Sequence, residues 1–414
     1  MSLGHDPEPR HIKSMTQATQ TDIFISGGGV AGLTAAAAFG AAGFSVICAE
    51  PTTPVTAIAD AGADLRTTAF LQPARDLLAE AGLWPMLAPH ATPLQIMRLI
   101  DAGGAESEPR VTRDFDAAEL SDAPFGWNLP NWLLRREMLT HLQTLPNVTV
   151  KIGPAFARMT TRQTEAIVTL TDATRVRARL VIAADGRNSP VRAALNIPVT
   201  TTRYGQKAIT FAVTHPIPHG NTSTEVHRTG GPFTLVPLPD RDGLPCSAVV
   251  WMETGPEVAR LMALSDADFS EGASLRSVHA AGPLTLASCR TTWPIITQLA
   301  GALTGERTAL IAEAAHVVPP IGAQGLNMSL ADIATLLTLA KASPATLGDG
   351  TMLDTYARAR MSDLRLRVTG IDALNRAAIA QSPLFRDLRA AGLRALTAAD
   401  PVRKTLMKTG LGLR

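Results

Sequence analysis

Cysteine is scarce. The three cysteines among 414 residues, Cys48, Cys246 and Cys289, are scattered and odd in number. They exclude a disulfide framework and any zinc-ligand spacing, and they fit a reducing cytoplasm. Charge of one sign is also lacking: the net charge is +2, with acids and bases mixed. No basic block is interleaved with aromatics, so no nucleic-acid partner is expected. Internal repeats, a metal-ligand cluster and an obvious catalytic triad are all missing. So is a leucine-rich hydrophobic run. The one long uncharged stretch, Ile23–Ala49, is mostly alanine and glycine and is bordered by Asp22. It carries too little transfer energy for a membrane span, and no leucine-rich core precedes a cleavage-like site as a signal peptide requires. What the chain does have is apolar bulk, 46% of its residues, and a length that suggests two domains.

That uncharged stretch is also the most informative one. Ile23–Ile25 is a short strand-like run, and Gly27, Gly29 and Gly32 follow as G-x-G-x-x-G. An alanine-rich helix, a second strand at Phe44–Cys48 and the acid Glu50 complete the unit. Gly27 allows a tight turn, Gly29 lets the backbone approach a pyrophosphate, and Gly32 lets helix and strand pack closely. The N–H groups at the helix start, around Val30 and Ala31, face the phosphates. Glu50, roughly 20 residues on, accepts from ribose hydroxyls. The unit predicts a dinucleotide site and leaves NAD, NADP and FAD open.

Farther along, Met1–Gln20 is polar and aperiodic and reads as a disordered tail. A helix is expected over Ala69–Ala81, a hairpin over Met97–Arg113 with its turn at Gly103-Gly104, and a helix over Asn131–Leu145. Strands are expected at Val148–Ile152, Ala166–Leu170 and Val176–Ala183. From about Thr200 the pattern becomes strand-like: Ala208–Val213, Thr224–His227, Phe233–Pro237 and Ser247–Met252, divided by turn signals, make a mostly antiparallel unit. Ser265–His279 is more helical. After Trp293-Pro294 the α/β character returns, and Thr351–Arg414 is helical.

Two segments resemble ligand-facing turns. In LVIAADGRNSPVR a strand delivers Asp185-Gly186, and a helix begins near Ser189. Open α/β sheets bind ligands at such strand ends, although a plain strand-to-helix turn explains this segment alone equally well. In ALIAEAAHVVPPIGAQGLN a strand ends at Glu313, and Pro319, Pro320 and the turn Gly322–Gly325 lead to a helix near Leu326. The unpaired N–H groups of that helix start favour an anion, such as the N1–C2=O edge of a reduced flavin. His316 reads as structural, held by backbone hydrogen bonds.

The three segments, in this order, resemble those of the flavoprotein aromatic hydroxylases with the p-hydroxybenzoate hydroxylase fold, over about residues 21 to 414. Within that group the chain is most similar to the ubiquinone-biosynthesis hydroxylases. Asp64-Leu65-Arg66 with Leu77-Leu78 and Gly82-Leu83-Trp84, Phe233 with Leu235–Pro239, Tyr356, Arg358, Arg360 and Asp363, and Asp372 with Leu374–Arg376 carry the likeness. The resemblance implies an α/β chain: a Rossmann-like FAD-binding domain of the GR2 type, an inserted mostly antiparallel β-sheet substrate domain, and a helical C-terminus. The expected boundaries are a tail at 1–20; an FAD-binding domain at 21–95, 127–200 and 290–345; a substrate domain at 96–126 and 201–289; and C-terminal helices at 346–414.

By the same resemblance, Gly27, Gly29 and Gly32 hold the FAD pyrophosphate, with Val30 and Ala31 beside it, and Glu50 holds the adenosine ribose. Arg66 lies near the flavin or its phosphates. Asn131 and Arg135 line the cofactor, Asp185 sits by the diphosphate, and Glu313 binds the ribityl chain. Pro320, Gly322, Gly325, Leu326 and Asn327 meet the isoalloxazine. One departure stands out: the usual Gly-Asp is Ala312-Glu313 here, which puts tight FAD retention in question. No second G-x-G-x-x-G is present, as expected if NADPH or NADH docks transiently. No metal is expected, and no catalytic side chain is assigned, because the cofactor carries the oxygen chemistry.

The resemblance implies O₂ and a polyprenylated phenol of ubiquinone synthesis as substrates. The expected place is the cytoplasm, peripheral to the inner membrane if the basic, leucine-rich tail at 384–414 touches an anionic bilayer or a biosynthetic complex. A solvated helix face explains that tail equally well. Two other readings stay open: a flavin hydroxylase of a small soluble aromatic or secondary metabolite, and an FAD-binding accessory protein without turnover.

Overall fold

The computed structural model describes residues 18–379, except 59, 61, 103–108 and 229, together with residues 400–411. Most of the expected N-terminal tail, the Gly103-Gly104 turn and the tail residues Arg386, Arg389 and Arg394 lie outside the described residues.

The chain opens with β1 (Thr19–Ser26), α1 (Val30–Ala41) and β2 (Val46–Glu50). Then come β3 (Thr67–Leu71), α2 (Gln72–Glu80), α3 (Trp84–Leu87), β4 (Thr92–Leu94), β5 (Ile96–Asp101), β6 (Val111–Asp116), β7 (Gly126–Pro130) and α4 (Asn131–Leu142). Strands β8 (Val148–Ile152), β9 (Phe156–Thr161), β10 (Ala166–Leu170) and β11 (Arg175–Ala183) precede the short α5 (Pro190–Ala194). The long strands β12 (Val199–Thr214), β13 (Thr222–His227), β14 (Pro232–Arg241) and β15 (Leu244–Thr254) lead into α6 (Gly255–Met262) and α7 (Asp266–Arg276). The rest is β16 (Thr285–Leu286), β17 (Thr291–Ala300), β18 (Thr304–Gly305), β19 (Thr308–Leu310), α8 (Ala312–Ala315), β20 (His316–Val317), α9 (Gln324–Ala342), α10 (Gly350–Ile379) and α11 (Asp400–Leu411).

The first sheet runs β18-β19-β11-β1-β2-β8, with β10 and β9 added beyond β11. Its centre is parallel: β1 lies between β2 and β11 in matched register. A parallel strand is buried on both faces and reads as a continuous apolar run; Ile23, Phe24 and Ile25 are each 0% exposed. Helix α1 is mostly small residues, so it sinks into this core and is buried from Ala31 to Gly40.

The second sheet runs β20-β17-β12-β15-β14-β13-β5-β6 and is antiparallel except where β13 meets β5. One face carries Ile209, Phe211, Phe233, Val249 and Trp251, packed against Val258, Leu261 and Phe269 of α6 and α7. A small sheet, β3-β7-β4, joins the two halves.

Three expectations need correcting. The helix expected over Ala69–Ala81 begins only at Gln72, where Pro73 sits in its first turn; Ala69–Leu71 belong to β3, laddered to β7. Residues 291–300, expected in the FAD-binding part, form β17 of the second sheet, paired to β12 along its length. The last long helix of the FAD-binding part starts at Gln324, two residues before Leu326, because Ala323 takes the left-handed conformation (φ 56°) and acts as its N-cap.

Candidate functional site

The glycine turn connects β1 to α1. Gly27 has φ +100°, and a Cβ there would fall 2.4 Å from the Ala184 carbonyl oxygen. A Cβ on Gly32 would fall 1.9 Å from the carbonyl oxygen of Gly27, so the first turn of α1 rests directly on the strand end. A Cβ on Gly29 would meet no protein atom within 4 Å. The residue that carries no contact thus opens onto a cradle, and Gly29 caps α1 without any side-chain bond. The N–H groups that follow, at Val30 and Ala31, have no partner inside the helix. Glu50, at the end of β2, accepts from the Gly28 N–H at 2.6 Å and from the Thr52 N–H at 3.0 Å.

Asp185 follows β11 and touches the same turn. Its Oδ2 accepts from Ser26 Oγ (3.3 Å) and the Val191 N–H (3.2 Å). Its Oδ1 is buried with no hydrogen-bond partner. Burial raises its pKa, and the neighbouring Ser189 hydroxyl with the bonds from Val191 and Ser26 opposes that rise. Arg192 ties this turn to the next wall: its guanidinium donates to the Arg187 and Ala314 carbonyl oxygens, each at 2.8 Å.

Arg66 is held from two sides. Its Nε and Nη2 donate to Asp64 at 2.8 and 2.7 Å, and its guanidinium stacks 4.2 Å above Trp293 of β17. Burial would lower its pKa; the hydrogen bond and charge of Asp64, with the charge of Glu313, outweigh that and raise it. Asn131 sits behind this pair: its amide donates to Asp64 Oδ2 (3.1 Å) and accepts from Thr68 Oγ1 (2.8 Å). Its side chain therefore orients Asp64 and Arg66. Arg135, one turn on, keeps a buried Nε with no partner.

Glu313 is exposed on α8, whose first residue, Ala312, is left-handed at φ 54°. Asp332 of α9, 0% exposed, anchors this segment. It accepts from the Ala312 N–H (3.3 Å), His316 Nε2 (2.8 Å) and Arg360 Nε (2.8 Å). His316 is structural as expected, but a carboxylate holds it rather than the backbone. Tyr356 closes the cluster with a bond to the Leu310 carbonyl oxygen (2.8 Å); burial first, then the charge of Asp332, push its phenol well above the ordinary value. Pro320 and Gly322 (φ +61°) lie in the turn before α9. Gly325 and Leu326 fall in its first turn, where N–H groups are unpaired. Asn327 uses its side chain to clamp β3, accepting from the Leu71 N–H (2.9 Å) and donating to the Ala69 carbonyl oxygen (2.7 Å). The C-terminal helix reaches this place too: Gln324 Nε2 donates to the Gly410 carbonyl oxygen (3.1 Å), and Arg403 bridges to Glu119 (2.6 Å).

The left-handed Ala312 carries a cost that glycine avoids, about 1–2 kcal/mol for an L residue, against about 0.5–1 kcal/mol of extra chain entropy for glycine. Ala312→Gly is expected to raise the unfolding midpoint by about 1–2 °C in a thermal melt and to leave the FAD content unchanged or higher. A lower midpoint would show that packing of the Ala312 methyl group outweighs the strain.

The fold joins the glycine turn to the Asp185 turn, Arg192 links that turn to α8, and Glu313 faces Arg66. Asp332, Arg192 and the stacking of Arg66 on Trp293 were not expected from sequence. The signal for Asp332 was present: a lone acid inside the apolar run Leu326–Leu339 needs buried partners. A cradle at Gly29, orphaned polar atoms on Asp185 and Arg135, and two open helix N-termini fit a long dinucleotide that ends in a flavin ring. Among the described residues no group of acids, histidines and cysteines could hold a metal ion, and no helix is long and apolar enough to cross a membrane.

Comparison with known proteins agrees. The FAD binding domain family matches residues 20–366. Ubiquinone hydroxylase UbiL of Rhodospirillum rubrum is 32% identical, over 94% of this chain and 89% of its own. The 3-demethoxyubiquinol 3-hydroxylase of Escherichia coli is 26% identical, over 95% and 99% respectively. The solved structure of p-nitrophenol 4-monooxygenase PnpA from Pseudomonas putida superposes with a TM-score of 0.77 at 19% identity, covering 96% of this chain and all of that one. The flavin-dependent monooxygenase PieE, solved with FAD and substrate, gives 0.69 at 20% identity, covering 95% of this chain and 71% of that one.

Proposed function

The chain belongs to the FAD binding domain family, among its ubiquinone hydroxylases, and from that premise we propose that its substrate is a polyprenylated phenol on the route to ubiquinone. The enzyme is an FAD-dependent aromatic monooxygenase. The observation that carries the substrate reading is the 32% identity to a ubiquinone hydroxylase over 94% of the chain.

Gly27, Gly29 and Gly32, with the N–H groups of Val30 and Ala31, would hold the FAD pyrophosphate, and Glu50 the ribose beside it. Asp185 and Arg135 would spend their orphaned polar atoms on the diphosphate region. Glu313 and Arg66 would bracket the ribityl chain. Pro320 and Gly322 would border the ring, and the N-terminus of α9, at Gly325, Leu326 and Asn327, would face its anionic edge. FAD supplies electron transfer from NADPH or NADH and the activation of O₂. The chain's part is to orient the phenol, exclude water and stabilise developing charge. The Arg66–Trp293 stack ties the cofactor-binding half to the second sheet, and the ring would lie beside it.

A polyprenyl tail partitions into bilayers, so contact of the C-terminal segment with an anionic membrane or a biosynthetic complex belongs to the same proposal. Lys404 and Lys408 of α11 are exposed, in keeping with it. The test is complementation. In a strain blocked at one ring hydroxylation of ubiquinone synthesis, this chain is expected to restore quinone and remove the accumulated precursor. Failure in strains blocked at each such step would favour a small soluble aromatic as substrate.

A further inference from the structure

The second sheet has one face filled by α6 and α7. The opposite face can be followed strand by strand. Thr291 pairs Thr210, Thr210 pairs Val250, Val250 pairs Thr234, and Thr234 pairs Glu225. Paired residues share a face, so these five do. Trp293 shares that face as well, two residues from Thr291, and its Nε1–H donates to Thr210 Oγ1 (3.3 Å). Arg66, beside Glu313, lies over Trp293. This is therefore the face turned toward the cofactor-binding half. Along it Thr291, Trp293, Val250 and Thr234 are half-buried, whereas Phe233, Val249 and Trp251 on the other face are buried. A half-open floor of small and apolar side chains ends at a carboxylate.

That carboxylate is Glu225, only 5% exposed. Its Oε1 lies 2.7 Å from Nε2 of His227, the next residue on the same face. The other imidazole nitrogen, Nδ1, is buried without a partner. Among the described residues no other hydrogen bond reaches the Glu225 side chain. The facing groups are Asp101 of β5, paired to His227, and Arg276 of α7, whose guanidinium reaches the carbonyl oxygens of Val226 and Gly231. A buried acid that spends only one oxygen on an imidazole has acceptor capacity left for a ligand. The nucleotide-binding residues do not use it.

We propose that Glu225 and His227 form the acid–base pair that binds the phenolic hydroxyl of the substrate; this rests on the aromatic-hydroxylase reading above. Glu225 accepts the hydroxyl hydrogen bond, and His227 positions the carboxylate. When the phenol ionises, its O–H bond breaks and the proton passes to the free oxygen of the Glu225 carboxylate, whose other oxygen His227 holds. Glu225 becomes a carboxylic acid still held by His227, and the substrate becomes a phenolate with a more electron-rich ring. One proton moves and no redox partner is needed. The logic is that of a carboxylate general base held in place by a neighbouring imidazole.

The test compares ortho-farnesylphenol with its methyl ether, which has no proton to give. FAD-loaded protein is titrated with each, binding is read from the flavin absorbance, and NADPH oxidation is measured in parallel. The parent is expected to bind the phenol at least about tenfold more tightly than the ether, the scale of one charge-assisted hydrogen bond. Glu225→Gln and His227→Asn are expected to bind both alike, with FAD content unchanged. Glu225→Asp, which keeps the charge, is expected to recover part of the preference. A merely structural role would move phenol and ether together. A preference kept within twofold in both Glu225→Gln and His227→Asn overturns the proposal, as does a loss shared equally by phenol and ether. A parent that neither binds the phenol nor oxidises NADPH faster in its presence overturns instead the hydroxylase reading beneath it.

Discussion

Asp332→Ala lowers the free energy of unfolding by about 3–5 kcal/mol, the cost of breaking a buried ion pair on one side, and releases FAD. The size follows from what is left behind. Arg360 is buried and would keep only the Met328 carbonyl oxygen and Asp363, whose side chain is 33% exposed. His316 Nε2 and the Ala312 N–H, both buried, would lose their acceptor as well. Stability of a domain is about 5–15 kcal/mol in total, so the variant is marginal. Asp332→Asn keeps the volume and one acceptor and is expected to lose less, about 1–3 kcal/mol. Flavin release follows because the Asp332 bond to Ala312 fixes the segment that carries Glu313. Denaturant titration with flavin fluorescence reads both effects. A loss below about 1 kcal/mol in the alanine variant would contradict the anchoring role.

The second large effect separates two glycines of one motif. Gly32→Ala places a methyl group 1.9 Å from the Gly27 carbonyl oxygen, against backbone that has no room to yield. Helix α1 must then lift from the strand end, at about 1–3 kcal/mol for overpacking. Its N-terminus moves with it, and FAD affinity is expected to fall ten- to a hundredfold, about 1.4–2.8 kcal/mol. Gly29→Ala meets no protein atom within 4 Å. It is expected to leave the melting temperature of the flavin-free protein unchanged and to weaken FAD alone. Equal melting temperatures and equal FAD affinities in the two variants would show that the pyrophosphate does not lie where Gly29 opens.

The sequence was legible where function and local structure coincide. Ile23–Ile25, Gly27, Gly29, Gly32 and Glu50 are close in the chain, and each residue type answers a local demand of a strand–turn–helix unit. Partnerships over long separations were not legible. Asp332 meets His316 and Arg360 across 16 and 28 residues, and no local pattern announces which buried acid takes which base. Ala69–Leu71 looks helical beside α2, yet its ladder partner is β7, far along the chain, and tertiary pairing overrides propensity. Residues 291–300 contain a Trp-Pro signal that reads as a boundary. The proline is instead tolerated inside β17, paired to Lys207 where the register of β12 shifts. The start of α9 moved because Ala323 adopts a conformation that glycine usually supplies. The substitution of Gly-Asp by Ala-Glu at residues 312–313 was legible as a departure. Its physical meaning, a strained alanine held by Asp332, needed the fold.

The proposed reaction uses FAD to put one atom of O₂ on an aromatic ring that carries a polyprenyl tail. Purified, FAD-loaded protein supplied with NADPH, ortho-farnesylphenol and isotopically labelled O₂ tests it most directly, with the product analysed by mass spectrometry. The predicted result is a hydroxylated farnesylphenol containing one labelled oxygen, with NADPH consumption that rises when the phenol is added. NADPH consumption that ignores the phenol, with peroxide as its only product, would contradict the claim.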